Sequence, residues 1–538
     1  MLKHSCQNVR KVPQKLYSLF KSLTPTEKSD FRHWLSCKNE HLYALFSVFE
    51  QQVQPNSSEY KGSFTEVSIN ETEALLIFEA LLEFLEAFSA SPEIRLNRQL
   101  SQIQLLFERK QFDLCRQLIL KAKAMAEQHY LLQDLEKVLV FEKKLLDYQT
   151  TVSGLTDTRS LYYNQTQLYE QLTNLYSYKE LWVKVTNWGH VASVRTDRIK
   201  WLSHLLKHPL LQTEKAAYSF NAQILFHLIK AEIYKNLDCF DDAFQHTKSL
   251  LQLFYQNADY AEMEWSSFLE ALNSHAMMAI QLGKYDDALM TSDFMKQMSG
   301  IYAFIDTHNL KCDIAVRYHL IDLKLCKETL QLNGIDTVID TVQQCLQQSV
   351  VPVDYFYALS ILTEIAQIHF LTANYKAAEE TCQQIYNLEQ FCSNVPLQTW
   401  AKMLHALALL ETGQTEALQQ LSGFIQSYFK EMQIYLRFET LFLDMLKKLA
   451  QPGKGVNYML SILQDYEILF DSVRAHSEEY IHSLIIAWIN SKLLRQPLLQ
   501  FMNDRLTASG KINRNLVKKA IAALPEKNGT AIYPGNSF

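Results

Sequence analysis

Apolar side chains recur at three- and four-residue intervals along most of the chain, the spacing of helices that each bury one face. Near the start, Thr24, Pro25 and Glu27 read as a helix opening. Thr24 is the N-cap, Pro25 the first helical residue, and Glu27 the side chain that reaches back to the cap. Phe31, Trp34 and Leu35 then form one apolar stripe, and a second helix carries Leu42, Leu45, Phe46 and Phe49. A loop-like stretch within 51–70 follows, rich in Ser, Asn and Pro. Asn70 and Glu73 repeat the cap logic before a third helix with Leu75, Leu76, Ile77, Phe78, Leu81, Leu82, Leu85 and Phe88. That helix is apolar nearly all round and calls for neighbours on more than one side.

Beyond residue 92 the pattern repeats. Ala231, Phe240 and Ala243, then Ala276, Tyr285 and Ala288, then Ala366, Tyr375 and Ala378 share one spacing, in which an aromatic follows the first Ala by nine residues and precedes the second by three. Small residues at matched places on two antiparallel helices let the backbones cross closely, and the aromatic at the turn fills the gap between them. Gly283, Lys284, Tyr285 and Ala288 spell a turn of the form Gly-x-Tyr-x-x-Ala, with Asp238 and Ala373 in place of the glycine in the other two units. These positions resemble the tetratricopeptide repeat. The resemblance runs from about 220 to 420 and implies paired helices stacked as a right-handed superhelical solenoid. Ala243 and Ala288 lie 45 residues apart, and Ala378 lies two such intervals from Ala288, placing one degenerate unit near Leu332 and Gly334. The family's unit is roughly 34 residues, so longer helices or loops are expected. Weaker units lie at Phe112 with Cys115 and at Gly413 with Ala417, and Pro352, Pro396, Pro452 and Pro497 fall between helical stretches. The opening Thr24 to Lys28 with Phe31, ahead of such a body, is also similar to bacterial helical-repeat proteins of unknown activity, which implies a fold and no chemistry.

Composition agrees with an all-α fold. Only 13 Gly and 11 Pro punctuate 538 residues, too few for the many tight turns of sheets, and 48% hydrophobic residues supply a large core. The expected parts are an N-terminal helical region over 1–91, a helical-repeat solenoid over 92–500, a basic capping helix over 501–524 with Ile512, Leu516, Val517, Ala520, Ile521 and Leu524 on one face, and a flexible tail over 525–538. Fifty-two Lys and Arg against 58 Asp and Glu argue against a nucleic-acid-binding body, although both ends are locally basic. Nine cysteines without a C-x-x-C pair fit a reducing compartment better than disulfides or a zinc ribbon. No apolar leader or long uncharged span is present, so the expectation is a cytoplasmic protein without a membrane partner.

The chemistry sought in the sequence has no signature. Gly453-Lys-Gly455 lacks the remainder of a phosphate loop, H-E-x-x-H and G-x-S-x-G do not occur, and Glu479 with His482 is a lone E-x-x-H. His204 and His208 lie one helical turn apart without a third ligand. No enzyme activity, metal or cofactor is expected. By the resemblance, the first helices of successive units would line a groove presenting Glu232, Lys235 and Asn236, then Glu270, Asn273 and Gln281, then Thr363 and Gln367, and finally Lys402. Leu228 and Glu232 break the family's clamp for peptide carboxylates, which disfavours chaperone tails. The expected function is a non-enzymatic scaffold or adaptor for a protein or peptide partner. The alternative is a ligand- or peptide-sensing regulator that touches nucleic acid through its basic termini.

Overall fold

The computed structural model describes residues 16–17, 19–20, 23–53, 70–88, 91–153, 159–187, 195–302, 305, 310–348, 354–388, 395–431, 437–451, 456–474 and 479–508. Among the described residues the chain forms 23 α-helices and no strand. They divide into two compact units, Met1–Met278 with Met298–Lys311, and Ala279–Gln297 with Cys312–Phe538. The basic N-terminus up to residue 15, the stripe from Ile512 to Leu524 and the tail from Pro525 lie outside the described residues, as do Pro352 and Pro452.

The first unit opens with α1 (Pro25–Lys38), α2 (Glu40–Val53) and α3 (Glu71–Phe88), which pack on one another. The Thr24 hydroxyl accepts from the Glu27 N–H at 3.1 Å, and the Glu27 carboxylate accepts from the Thr24 N–H at 2.8 Å. Asn70 and Glu73 make the same reciprocal bonds at 2.9 and 3.0 Å. Caps of this kind satisfy amide groups that the first helical turn leaves without partners. The three helices meet through rings: Phe31 lies 5.0 Å from Phe46 edge-on and 5.3 Å from Phe84. Each such ring contributes roughly 2–3 kcal/mol by leaving water. The expectation that α3 is enclosed on several sides is corrected. Ala74, Ile77, Leu81 and Phe84 are buried, whereas Leu75, Leu76, Leu82 and Phe88 are exposed.

The same unit continues through α4 (Pro92–Glu108), α5 (Phe112–Gln128), α6 (Leu132–Ser153), α7 (Arg159–Thr186), α8 (Arg195–Leu205), α9 (Phe220–Asn236), α10 (Phe240–Gln256), α11 (Ala258–Met263) and the first part of α12 (Trp265–Gln281). Helix α5 packs on α4 and α6, α7 on α6 and α9, and α9 on α10. The second unit holds most of α13 (Tyr285–Ile301), then α14 (Lys311–Thr329), α15 (Ile335–Gln348), α16 (Tyr355–Leu371), α17 (Tyr375–Leu388), α18 (Val395–Glu411), α19 (Thr415–Glu431), α20 (Arg437–Leu449), α21 (Val456–Arg474), α22 (Glu479–Leu493) and α23 (Leu498–Ala508). From α16 onward each helix packs on the next, and α16 also packs on α18. Helices α14 and α15 occupy the interval in which the sequence spacing left one unit unassigned. Pro396 is the second residue of α18 rather than a residue between helices, a place where its missing N–H costs nothing.

One turn joins many of these helices. Lys110, Tyr130, Asp238, Gly283, Leu330, Ala373, Gly413 and Arg495 all have positive φ, between 52° at Leu330 and 72° at Gly413. In each, the left-handed residue donates its N–H to the carbonyl three residues back, and the following residue donates to the carbonyl five back. At Asp238 these bonds are 3.2 Å to Lys235 O and 2.9 Å from Cys239 to Tyr234 O; at Gly283 they are 3.0 Å to Ile280 O and 2.8 Å from Lys284 to Ala279 O. Both ends of the helix-terminating motif are thus satisfied. After Lys110, Tyr130, Asp238, Gly283, Ala373 and Gly413 the next helix starts two residues later. The small residues beyond these turns are buried: Ala243, Ala288 and Ala378 have no exposed surface. Cys115, the equivalent after Lys110, puts its sulfur 3.8 Å from the Ile103 carbonyl on the facing helix. A larger side chain there would push α4 and α5 apart.

Open space surrounds the position a Cβ would take on Gly283, so only backbone conformation opposes a side chain there. Gly283→Ala should lower stability by about 1 kcal/mol, and Ala373→Gly should raise it by about the same amount. Urea unfolding midpoints check this; shifts of the same sign in both variants would contradict a shared turn.

Candidate functional site

The residues expected to line a groove divide by burial. Glu232, Lys235 and Asn236 are half-buried on α9 and satisfy one another, with the Asn236 amide donating to Glu232 Oε1 at 2.8 Å and Lys235 paired to the same carboxylate. Glu270 and Gln281 are exposed, whereas Asn273 is buried. In the second unit Thr363 and Gln367 are buried and Lys402 is 0% exposed, so none of these three lines an open surface. The reason is that α16 and α18 lie directly against each other, and the side chains between them are enclosed.

What fills that interior is a buried polar layer. Lys324 and Lys327 of α14 reach Glu364 of α16 at 3.0 and 2.5 Å, and the Lys327 ammonium also donates to Gln367 Oε1 at 3.0 Å. Burial pushes the Glu364 carboxyl up, but the two ammonium groups outweigh it and hold the group down at about 2. Burial, opposed by Lys327 and reinforced by Glu364, raises neighbouring Glu328. Further along, the Lys402 ammonium lies 4.1 Å from the Tyr428 ring centroid and 5.0 Å from that of Tyr386. Tyr386 shares a 2.9 Å hydrogen bond with His405 Nδ1, and the Tyr428 hydroxyl donates to Gln398 at 3.1 Å. On α13 and α14, Asp322 accepts from Ser292 at 2.6 Å and pairs with Lys296 at 3.1 Å. These groups hold helices together through charge that is matched inside the fold. Among the described residues no group of three or more His, Cys, Asp or Glu is placed to hold a metal ion.

The first unit offers two other features. His227 of α9 and His246 of α10 face each other with their Nδ1 atoms 3.0 Å apart, and His227 Nε2 lies 3.5 Å from Glu214. Burial, then the charges of His227 and Lys230, lower the His246 pKa to about 4; burial also lowers that of His227 against the pull of Glu214. The second feature is a shallow groove of about 510 Å³ along α7, lined by Thr166, Tyr169, Glu170, Thr173, Asn174, Ser177 and Tyr218. Its far wall is fixed by Asn174, whose amide donates to Ala216 O at 2.9 Å and whose carbonyl accepts from the Tyr218 N–H at 3.0 Å. Thr166 and Ser177 spend their hydroxyl protons on backbone carbonyls of their own helix, which leaves oxygen lone pairs toward the groove. Beside it Tyr162, Tyr169, Tyr176 and Val183 are exposed at seven-residue spacing, while Leu161, Leu168, Leu172 and Leu175 are buried on the adjoining face. The sequence held this signal in the interval of seven between tyrosines. His208, read as one of a pair without a third ligand, instead accepts the Leu210 N–H through Nδ1 at 3.3 Å.

Comparison with protein-family models, with curated proteins and with solved structures found no match to this chain. Among the described residues no helix is long and apolar enough to cross a membrane.

Two outcomes are expected. Glu364→Gln leaves the buried Lys327 ammonium and the half-buried Lys324 ammonium without their shared carboxylate and should cost about 3 kcal/mol in urea unfolding. Lys327→Met should cost a similar amount, and the double variant less than the two together; additive costs would refute the pairing. The histidines bind protons more readily when unfolded, because their folded pKa values lie below the ordinary 6.5. Their stabilising contribution is therefore complete above about pH 6.5 and is lost as pH falls toward about 4. Melting temperatures measured across that window should fall less steeply for His246→Gln than for the unaltered chain.

Proposed function

We propose that the chain is a non-enzymatic interaction scaffold, a solenoid of paired helices similar to tetratricopeptide repeats, that holds a protein or peptide partner on a helical face. Left-handed turn residues at 238, 283, 330, 373 and 413 support the repeat, at intervals of 45, 47, 43 and 40 residues. The observation that carries the reading is the exposed face of α7. A row of tyrosine rings borders a groove of oxygen acceptors and the Glu170 carboxylate, with Tyr163 also 69% exposed at its start. Rings give large contact area at little entropic cost, and the Glu170 carboxylate beside the Thr166 and Ser177 oxygens favours a partner that carries amide N–H or basic groups. This surface replaces the first-helix groove as the place where a partner docks.

The test is a double variant, Tyr169→Ser with Tyr176→Ser. Both side chains are about half exposed, and Tyr176 gives up an exposed hydrogen bond from Gln133, so the melting temperature should shift little. Affinity for a partner isolated with the unaltered chain should fall several hundredfold, by about 2 kcal/mol or roughly 30-fold for each ring of hot-spot quality. Undiminished binding by a folded double variant would rule out this face.

A further inference from the structure

Two thiols meet at the end of the α14–α15 pair farthest from its Leu330 turn. Cys312 is the second residue of α14 and Cys345 stands near the end of α15, so the antiparallel course of the two helices brings them together. Their sulfurs are 3.6 Å apart, and Cys312 Sγ also lies 3.9 Å from the Cys345 carbonyl. Both side chains are partly exposed, unlike the enclosed Cys115 and Cys382. Between this end and the turn, Ile335, Ile339 and Val342 are buried and keep α15 seated. Sulfur atoms in van der Waals contact need to approach by roughly 1.6 Å to reach the 2.05 Å bond length, a distance that small side-chain rotations cover.

We propose that Cys312 and Cys345 form a reversible dithiol and disulfide pair, oxidised by a hydroperoxide, that clasps α14 to α15. Cys312 releases its proton to solvent, and the thiolate attacks the terminal oxygen of the hydroperoxide. The O–O bond breaks, the alcohol leaves with a proton, and Cys312 becomes a sulfenic acid. The Cys345 sulfur then attacks the Cys312 sulfur. The S–O bond breaks and hydroxide leaves as water with the Cys345 proton. Two thiol hydrogens and two electrons pass to the peroxide, giving one disulfide, one alcohol and one water, and a dithiol reductant reverses the change. The contact with Cys312, followed by burial, pushes the Cys345 thiol up, and the same steps run with the two sulfurs exchanged. The clasp would hold α14, and with it Lys324 and Lys327, in the geometry that meets Glu364.

The test uses the full chain, reduced and then exposed to hydrogen peroxide, the simplest hydroperoxide. Thiols are blocked without reductant, and the digest is read by mass spectrometry. The expected product joins the peptides of Cys312 and Cys345, is two hydrogens lighter than their sum, and disappears with dithiothreitol. The oxidised chain should melt about 5 °C higher than the reduced one, because the link closes a long loop. Cys312→Ser and, independently, Cys345→Ala should abolish both the linked peptide and the shift. Separate blocking of Cys312 and Cys345 after exposed Cys37 and Cys239 have been oxidised would overturn the proposal, as would linkage of either residue to another cysteine.

Discussion

The architecture depends on a single residue per hairpin held in the left-handed region. That residue ends one helix with two backbone hydrogen bonds and, in six of the turns, lets the next helix begin two positions on. A turn so short has no slack, so it fixes which residues face each other across the pair. The position five residues beyond the left-handed one is small in four of these six turns, and Leu135 and Leu418 take it after Tyr130 and Gly413. Ala243, Ala288 and Ala378 fill it with no exposed surface, and Cys115 fills it close to a carbonyl oxygen.

Close pairing has a second effect, on charge. When α16 and α18 lie against each other, their enclosed polar side chains lose water and need partners from within the protein, which come from α14, α17 and α19. Lys327, Glu364 and Gln367 supply them to one another, and Lys402 takes the faces of Tyr386 and Tyr428. Such a layer adds little net stability compared with an apolar one, yet the removal of any single member is expensive. It enforces register, because a helix that slipped by one turn would strand a buried charge.

The legible parts of the sequence were those whose cause is local. Thr24 with Glu27 and Asn70 with Glu73 act within four residues, and their spelling is enough. The turn at Gly283 was readable because glycine marks a left-handed backbone, and Asp238 and Ala373 followed from their shared spacing. Tyr130 and Arg495 adopt the same conformation without glycine and without the flanking Ala, so nothing in their residue type announced it. The link between Lys327 and Gln367 spans 40 residues, and no periodic pattern encodes which lysine meets which acceptor. Reading Thr363, Gln367 and Lys402 as groove residues carried over an inner face from the resemblance, whereas direct contact between α16 and α18 encloses them.

Contacts that reach past neighbouring helices set each unit apart from a simple one-dimensional array. In such an array each pair touches only the next, and pairs can be lost one at a time. Here Glu411 accepts from the Trp488 indole at 2.5 Å and pairs with Lys492 at 2.6 Å, 77 and 81 residues away. In the first unit the Tyr130 ring stacks on Phe220 at 4.5 Å, and its hydroxyl donates to Asn257 at 3.0 Å across 127 residues. Loss of one helix pair therefore removes partners from a distant one, which couples their unfolding. Tyr130 also shows why a left-handed position need not be glycine. Its backbone strain of roughly 1–2 kcal/mol is set against a stacked ring and a hydrogen bond that glycine would forfeit, so the residue that turns the chain from α5 to α6 is also the one that ties this turn to α9.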